Sequence, residues 1–448
     1  MQNTVKTGLS RRKFLFGSAA ALAAPLILPS RLFGQASPSN TLNVGIIGCG
    51  NRFRTHKTIG QIPGVRVVAV CDVWDERATV GKAQIDETNG DTHCKTYGDF
   101  RDLIADTEVD VVIIGAPDHW HALIAIAAAN AGKHIYLEKP FAYSVEEGRA
   151  VINAVRRNGV ILQHGTQQRS SAPFQRAAYL AQGGLIGDVN TVYAISPPGP
   201  SGGDPSKTQI PAGHNYDLFT GPAPKTPFYL DMVTRSGTAA RGGPPGWYFT
   251  SVFGGGWVTA WGSHHVDSAQ FALGKDHEAP VKIEAKGLYP EKGMFDTAHS
   301  WYAELTYADG KKIIYCTPDR PECPKMPGAN IIAVGEAGWV AANRGKVWSS
   351  QPGLTERNWP KDNPALQLMD RGGQMDHFQS LVDAIRYGTP VNAPMEIGQL
   401  STTLCHLTSI GIETQRLLNW NSSAERFVDD PQADRLLGRS MRAPWTLA

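Results

Sequence analysis

The chain is predicted to be an α/β protein in two parts: a doubly wound parallel sheet, then an α+β part built on a large, open, mainly antiparallel sheet. Three observations predict it. From Leu42 to Gln163, short β-branched runs alternate with helical stretches, as βαβ units require. Those runs are apolar throughout, the pattern of parallel strands covered on both faces. Beyond Gln168 the strand candidates lengthen, and Tyr307-Ala308-Asp309-Gly310 supplies a hairpin turn. A leader over residues 1–36, a first domain over 37–165 and a second over 166–448 are expected.

The strands of the first part are expected at Leu42–Ile47, Arg66–Val70, Val109–Ile114, His134–Leu137 and Val160–Gln163. Ser144-Val145-Glu146-Glu147 is a capping box that opens the helix between the last two. In the second part, strands are expected at Asn190–Ile195, Lys282–Leu288, Ser300–Thr306, Lys312–Cys316 and Ile331–Val334. Helices are expected near Pro173–Gln182, Ser263–Ala272 and Gln374–Arg386. Residues 197–256 are rich in Gly and Pro (Pro197-Pro198-Gly199-Pro200, Gly242-Gly243-Pro244-Pro245-Gly246) and form a long irregular excursion. A loop of that length is an active-site wall, an oligomer arm or a disordered strap.

Ser10-Arg11-Arg12-Lys13-Phe14-Leu15-Phe16 reads as a twin-arginine export signal, with a small-residue site at Gly34-Gln35-Ala36 that predicts cleavage before Ser37. The apolar run from Phe14 to Leu28 is about 15 residues long and contains Pro25, short of the ~20 residues of a membrane span. With no Cys near the cleavage site, no membrane or lipid anchor is expected. The expected location is the periplasm, or another compartment reached through the twin-arginine export machinery. Five of the 43 basic residues and none of the 41 acidic ones lie in the first 36 positions, so the net charge turns from +2 to −3 on cleavage. That excludes nucleic acid as an obvious partner. Cys49 and Cys71 read as buried small apolar residues, and Cys316 and Cys323 are close enough for a loop disulfide.

Gly48-Cys49-Gly50-Asn51-Arg52-Phe53 follows the first strand, and Asp72 ends the second, 22 residues after Gly50. Two glycines let the backbone turn tightly and approach a pyrophosphate, which then sits on a helix N-terminus. Asp72 suits the ribose hydroxyls and repels a 2′-phosphate, so NAD is favoured over NADP. Phe53 stands where a small residue is normal, and Arg52 and Arg54 leave room for a phosphate. Gly115-Ala116-Pro117-Asp118-His119-Trp120-His121 follows the third expected strand, and Glu138-Lys139-Pro140 the fourth. The cofactor-binding candidates are therefore Gly48, Gly50, Asn51, Arg52, Asp72, Pro117, Asp118, His121, Glu138 and Lys139. No metal site is expected.

With Trp261-Gly262-Ser263-His264-His265-Val266-Asp267 added, these motifs resemble the Gfo/Idh/MocA family of glucose-fructose oxidoreductase, inositol dehydrogenase and rhizopine catabolism proteins. The likeness runs from about Asn43 to Pro444-Trp445, and Glu-Lys-Pro is its most specific mark. The resemblance implies a Rossmann domain followed by an α/β domain whose open sheet serves substrate and oligomer contacts, hence a homo-oligomer. It also implies NAD(P)-dependent chemistry on sugars or cyclitols. By motif, Lys139 is the catalytic lysine and His264 the proton-transferring histidine, since imidazole takes a hydroxyl proton as hydride leaves. Four residues before that histidine the family commonly carries an Asp; here stands Ala260, and Asp267 is the nearest substitute.

For the substrate, Gln167, Arg169, Trp257, His265 and Asp267 are candidates, with Gln163 and Gln168 in the same polar cluster. His265 is read as structural or as a secondary contact. Trp247, Tyr248, Phe249, Trp257 and Trp261 suit either stacking on a sugar or an ordinary core. Three functions fit: an exported oxidoreductase acting on a sugar or polyol with bound NAD, a redox-neutral NAD-dependent glycosidase, or a sugar-sensing protein with a structural nucleotide.

Overall fold

The computed structural model describes residues 41–234, 244–356 and 373–447; the expected export signal lies outside them. Six short strands form the first sheet: β1 (Leu42–Ile47), β2 (Val65–Cys71), β3 (Lys95–Tyr97), β4 (Val111–Ile114), β5 (His134–Leu137) and β6 (Leu162–His164). They are all parallel, in the order β3-β2-β1-β4-β5-β6. That order reverses direction between β1 and β4, so their carboxyl ends open a crevice. Residues such as Val44, Ile46, Val112 and Ile113 are wholly buried, because helices cover both faces. The short β3 escapes the apolar pattern because it lies at the sheet edge, with Lys95 and Thr96 exposed.

The serine half of the capping box forms as expected. Ser144 accepts from the Glu147 amide at the start of the Val145–Asn158 helix. Such a cap contributes about 1 kcal/mol. The Glu147 carboxylate reaches Arg439 (2.7 Å).

The second sheet contains β7 (Val189–Ile195), β8 (Lys282–Leu288), β9 (Ser300–Thr306), β10 (Lys312–Cys316), β11 (Ile331–Gly335), β12 (Gly338–Ala342), β13 (Val347–Ser349), β14 (Leu418–Asn421) and β15 (Arg426–Phe427). Their order is β13-β12-β11-β7-β10-β9-β8-β14-β15, antiparallel except where β10 runs parallel to β7. The turn at Tyr307–Gly310 joins β9 to β10, and Cys316 and Cys323 are disulfide-bonded. Two long helices, Gly262–Leu273 and Met395–Thr414, cover one face of this sheet. The second of these has no counterpart among the expected elements. Apolar and small residues are buried around almost its whole circumference, so it lacks the one-sided stripe that betrays a helix. Gly411 lets it lie on β8, since a Cβ there would stand 2.9 Å from that of Ala285.

The chain returns to the first sheet after building the second. Phe378, Leu381 and Val382, on the Gly373–Tyr387 helix, join the core around Val44 and Ile46. Trp445 packs on Trp120 with ring centroids 4.7 Å apart. Among the described residues no helix is long and apolar enough to cross a membrane.

The glycine loop closes between the two crevice-lining strands. Gly48 has φ +99°, and a Cβ on it would lie 2.5 Å from the Gly115 carbonyl oxygen at the end of β4. A Cβ on Gly50 would meet nothing nearer than Arg77 at 3.9 Å. Phe53 starts a single helical turn, Phe53–His56, with its ring in the core among Val44, Ile46 and Ile59. Close helix packing is restored by Gly81 on the Asp75–Asn89 helix, where a Cβ would stand 3.3 Å from the Phe53 ring. Gly48→Ala is expected to lower stability by about 1–3 kcal/mol and Gly50→Ala by less than about 0.5 kcal/mol, as read by urea unfolding.

Candidate active site

Two cavities meet at the carboxyl ends of β1, β4 and β5. The first, about 420 Å³, is lined by the glycine loop (Gly48–Arg54), Asp72, Arg77, Pro117, Asp118, His121, Glu138 and Lys139. The second, about 440 Å³, is lined by Gln167, Gln168, Ser171, Trp257, Ala260, Trp261, His264 and Arg344. Asn51, Arg52, Lys139 and Tyr248 line both.

Asp72 is buried, and burial raises its carboxyl pKa. Its Oδ2 accepts from the Cys49 amide (2.8 Å) and its Oδ1 from the Trp74 amide (3.0 Å). The side chain expected to meet a ribose therefore also pins the glycine loop, with a lone pair left on each oxygen. Glu138 is 3% exposed, and its Oε1 accepts from Arg52 (3.0 and 2.8 Å) and Gln167 (3.1 Å), with His56 Nε2 at 3.1 Å. Burial would raise this carboxyl, but the Arg52 guanidinium, with His56 and Lys139, holds it well below the usual range. Arg52 is thus paired, not free for a phosphate. The His121 ring bridges the Pro140 (2.6 Å) and Ala116 (2.9 Å) carbonyls, tying the end of β4 to the Glu138-Lys139-Pro140 loop.

Lys139 stands over the Tyr248 ring, its Nζ 5.2 Å from the centroid. Burial pulls its pKa down, while burial pushes the Asp118 carboxyl up, to about 7. Asp118 Oδ2 is buried without a hydrogen-bond partner at the wall of the first cavity, so one polar position there still awaits a donor. His264 is also buried, with Nδ1 unpartnered; burial, then Arg344 and Lys139, hold its pKa well below the ordinary value. It faces the second cavity as a neutral imidazole.

Two expectations, for Asp267 and Arg169, need correction, and three open readings, for His265, Gln163 and Phe249, are decided. Asp267 does not back His264, and Arg169 does not face a ligand: the two are locked together (2.7 Å), with Asp276 on the other side of the guanidinium (2.7 Å). Positions three apart on a helix share a face, but a buried carboxylate goes to the nearest cation, here Arg169. His265 is wholly buried, its Nδ1 on the Ile195 carbonyl (2.7 Å), and so anchors its helix to β7. Gln163 is spent on the Asn392 amide (3.2 Å) and the His377 carbonyl. Phe249 is core, edge-on beneath Trp257 with centroids 4.8 Å apart, whereas Trp257, Trp261 and Tyr248 reach the second cavity.

The Gly/Pro-rich excursion is an active-site wall. His214, Phe219, Val233, Trp247 and Tyr248 close the outer side of the first cavity, and Asn215 and Gly213 bond the backbones of Val73 and Asp75. Residues 235–243 lie outside the described part.

Two family models match this chain: the oxidoreductase family's NAD-binding Rossmann fold over residues 42–166, and its C-terminal alpha/beta domain over 203–447. The chain belongs to the Gfo/Idh/MocA oxidoreductase family. Its first sheet is that family's NAD-binding fold, and the first cavity offers the groups a dinucleotide needs: a loop open at Gly50, an acid at the end of β2 and an unpartnered oxygen on Asp118. An inositol 2-dehydrogenase of Salmonella paratyphi B is 33% identical over 190 residues, 42% of this chain and 49% of that protein. The chain thus spans about half the length of that relative. A glycosyl hydrolase family 109 protein of Solibacter usitatus is 27% identical over 174 residues, 37% of this chain and 40% of that protein. The solved WlbA dehydrogenase of Chromobactrium violaceum, in complex with NADH and UDP-GlcNAcA, shares the fold with a TM-score of 0.63. It is 16% identical, over 89% of this chain and 99% of that one.

Arg77 and Arg344 were not among the expected site residues, whereas Tyr248, one of the expected aromatic candidates, lines both cavities. The two arginines are each delivered by a segment with no motif of its own. Arg169→Met is expected to cost about 3–5 kcal/mol by stranding Asp267, with KM unchanged; thermal unfolding and initial rates check the two halves.

Proposed function

We propose that this chain is an exported oxidoreductase that oxidises a hydroxyl of a sugar or polyol with an NAD it carries. The observation that supports this best is the position of Lys139, at the wall shared by the nucleotide cavity and the second cavity, where His264 and two tryptophans face it. The Lys139 ammonium donates to the substrate hydroxyl oxygen and stabilises the negative charge that develops there. His264, neutral because it is buried among cations, takes the hydroxyl proton. Bound NAD supplies the hydride acceptor. Glu138 positions Lys139 by anchoring its loop to Arg52 and Gln167. The excursion that closes the nucleotide cavity favours retention of the cofactor. Retention matters in a compartment without a free nucleotide pool, so reoxidation requires a second carbonyl substrate in the same site.

The glycosyl hydrolase family 109 relative supports a second reading, in which a hydroxyl is transiently oxidised, the glycosidic bond is eliminated, water adds to the resulting double bond and hydride returns to the carbonyl. The reactions separate on one assay. Aglycone release from aryl glycosides without an added acceptor supports the glycosidase; product formed only with a carbonyl acceptor supports the oxidoreductase.

Acid denaturation of the purified mature protein is expected to release NAD in near-stoichiometric amount, and absence of nucleotide defeats the retained-cofactor reading. Lys139→Ala and His264→Ala are each expected to lower kcat by about 100- to 10,000-fold while nucleotide stays bound. Replacing Arg11 and Arg12 together by Lys is expected to leave the uncleaved chain in the cytoplasm, checked by fractionation and immunoblotting.

A further inference from the structure

The described wall of the second cavity is basic and carries no acid. Among the described residues lining it none is Asp or Glu, whereas Arg52, Lys139 and Arg344 all line it. Arg52 is neutralised by Glu138 (2.8 Å), which leaves Lys139 and Arg344 as the charges a ligand would meet. Arg344 sits in the tight turn between β12 and β13. That turn is pinned by Asn343, whose Oδ1 accepts from the Gly345 and Lys346 amides (2.9 Å each) and whose Nδ2 donates to the Gly328 carbonyl (2.9 Å).

The turn lays the guanidinium over the Trp261 indole, with Cζ 4.9 Å from the ring centroid. The amide of Gln168, turned so that its nitrogen reaches the His264 carbonyl and Ser268 Oγ, accepts from Arg344 Nε (3.1 Å). One edge of the fork is thereby held. The terminal nitrogens have no carboxylate partner among the described residues, although the residue stands beside His264 in the same cavity.

A guanidinium that is stacked on one face, oriented through Nε and open at its outer nitrogens is arranged to take a planar anion. We propose that Arg344 is a specificity-determining residue and that the substrate is a sugar acid, a uronate or aldonate whose carboxylate pairs with it. This rests on the reading of the second cavity as the substrate site. Ala260 fits the same reading, since an aspartate one turn before His264 would place a like charge against such a substrate.

The test is titration calorimetry on the mature protein with its nucleotide, using D-glucuronate, D-galacturonate and D-gluconate against D-glucose. The variants are Arg344→Gln and Arg344→Lys, with thermal unfolding as the check on folding. At least one acid is expected to bind at least about tenfold more tightly than glucose. Arg344→Gln should abolish that preference, and Arg344→Lys should restore part of it. No binding of any acid, equal weakening of glucose and acid by Arg344→Gln, or tighter binding of glucose 6-phosphate than of glucuronate overturns the proposal. Absorbance at 340 nm keeps the two claims apart. Arg344-dependent binding without any change in the nucleotide sinks the oxidoreductase reading and leaves this one standing; oxidation of glucose with no affinity for the acids does the reverse.

Discussion

A single buried carboxylate organises the site. Glu138 collects Arg52 from the glycine loop, His56 from the turn that follows it and Gln167 from beyond β6, all within 3.1 Å of one oxygen. Three loops at the carboxyl edge of the sheet thus share one electrostatic knot, and Lys139 is the next residue along. Its cost is a desolvated charge, which only a full set of partners offsets. The crowding extends to the backbone: a Cβ on Gly115 would stand 2.5 Å from the His56 ring, so the end of β4 must stay bare for the knot to close.

The same principle, compensation of buried charge, decides which expected residues belong to the site. Arg169, Asp267 and Asp276 neutralise one another away from the cavities, and so leave the mechanism. Arg52 leaves the list of free cations for the same reason. What remains at the cavity walls is the incompletely compensated set: Asp118 pushed up by burial, Lys139 pulled down and His264 held neutral. Incomplete compensation is tolerated in a fold where a ligand completes it.

The first sheet, its edge strand β3 apart, was legible because its strands are short, mostly apolar runs, and the ends of β1, β2 and β5 lead into the glycines, Asp72 and Lys139; strand and motif confirm each other. His264 was legible through its motif. Asp267 was misread because helical spacing reports an angle and not a partner; its partner, Arg169, lies 98 residues away in sequence. Met395–Thr414 was missed because burial on nearly all sides erases the periodicity on which a helix is recognised. Arg344 carries no local signal at all. It reaches the site only because β12 and β13 pair in a register that points their turn at Trp261.

Ala260 and Arg344 read together as one electrostatic choice. In the proposed mechanism His264 takes a proton and becomes a cation beside two others, Lys139 and Arg344, which already lower its pKa after burial has done so. An acid at position 260 would offset that charge within the protein. With alanine there, none of the described residues lining the cavity is an acid, and a carboxylate on the substrate would supply the counter-charge. A carboxylate seated on Arg344 removes one of the two repelling cations and supplies that counter-charge at the moment of transfer. On the proposed reading, the negative charge that an aspartate at position 260 would bring is delivered instead by the substrate.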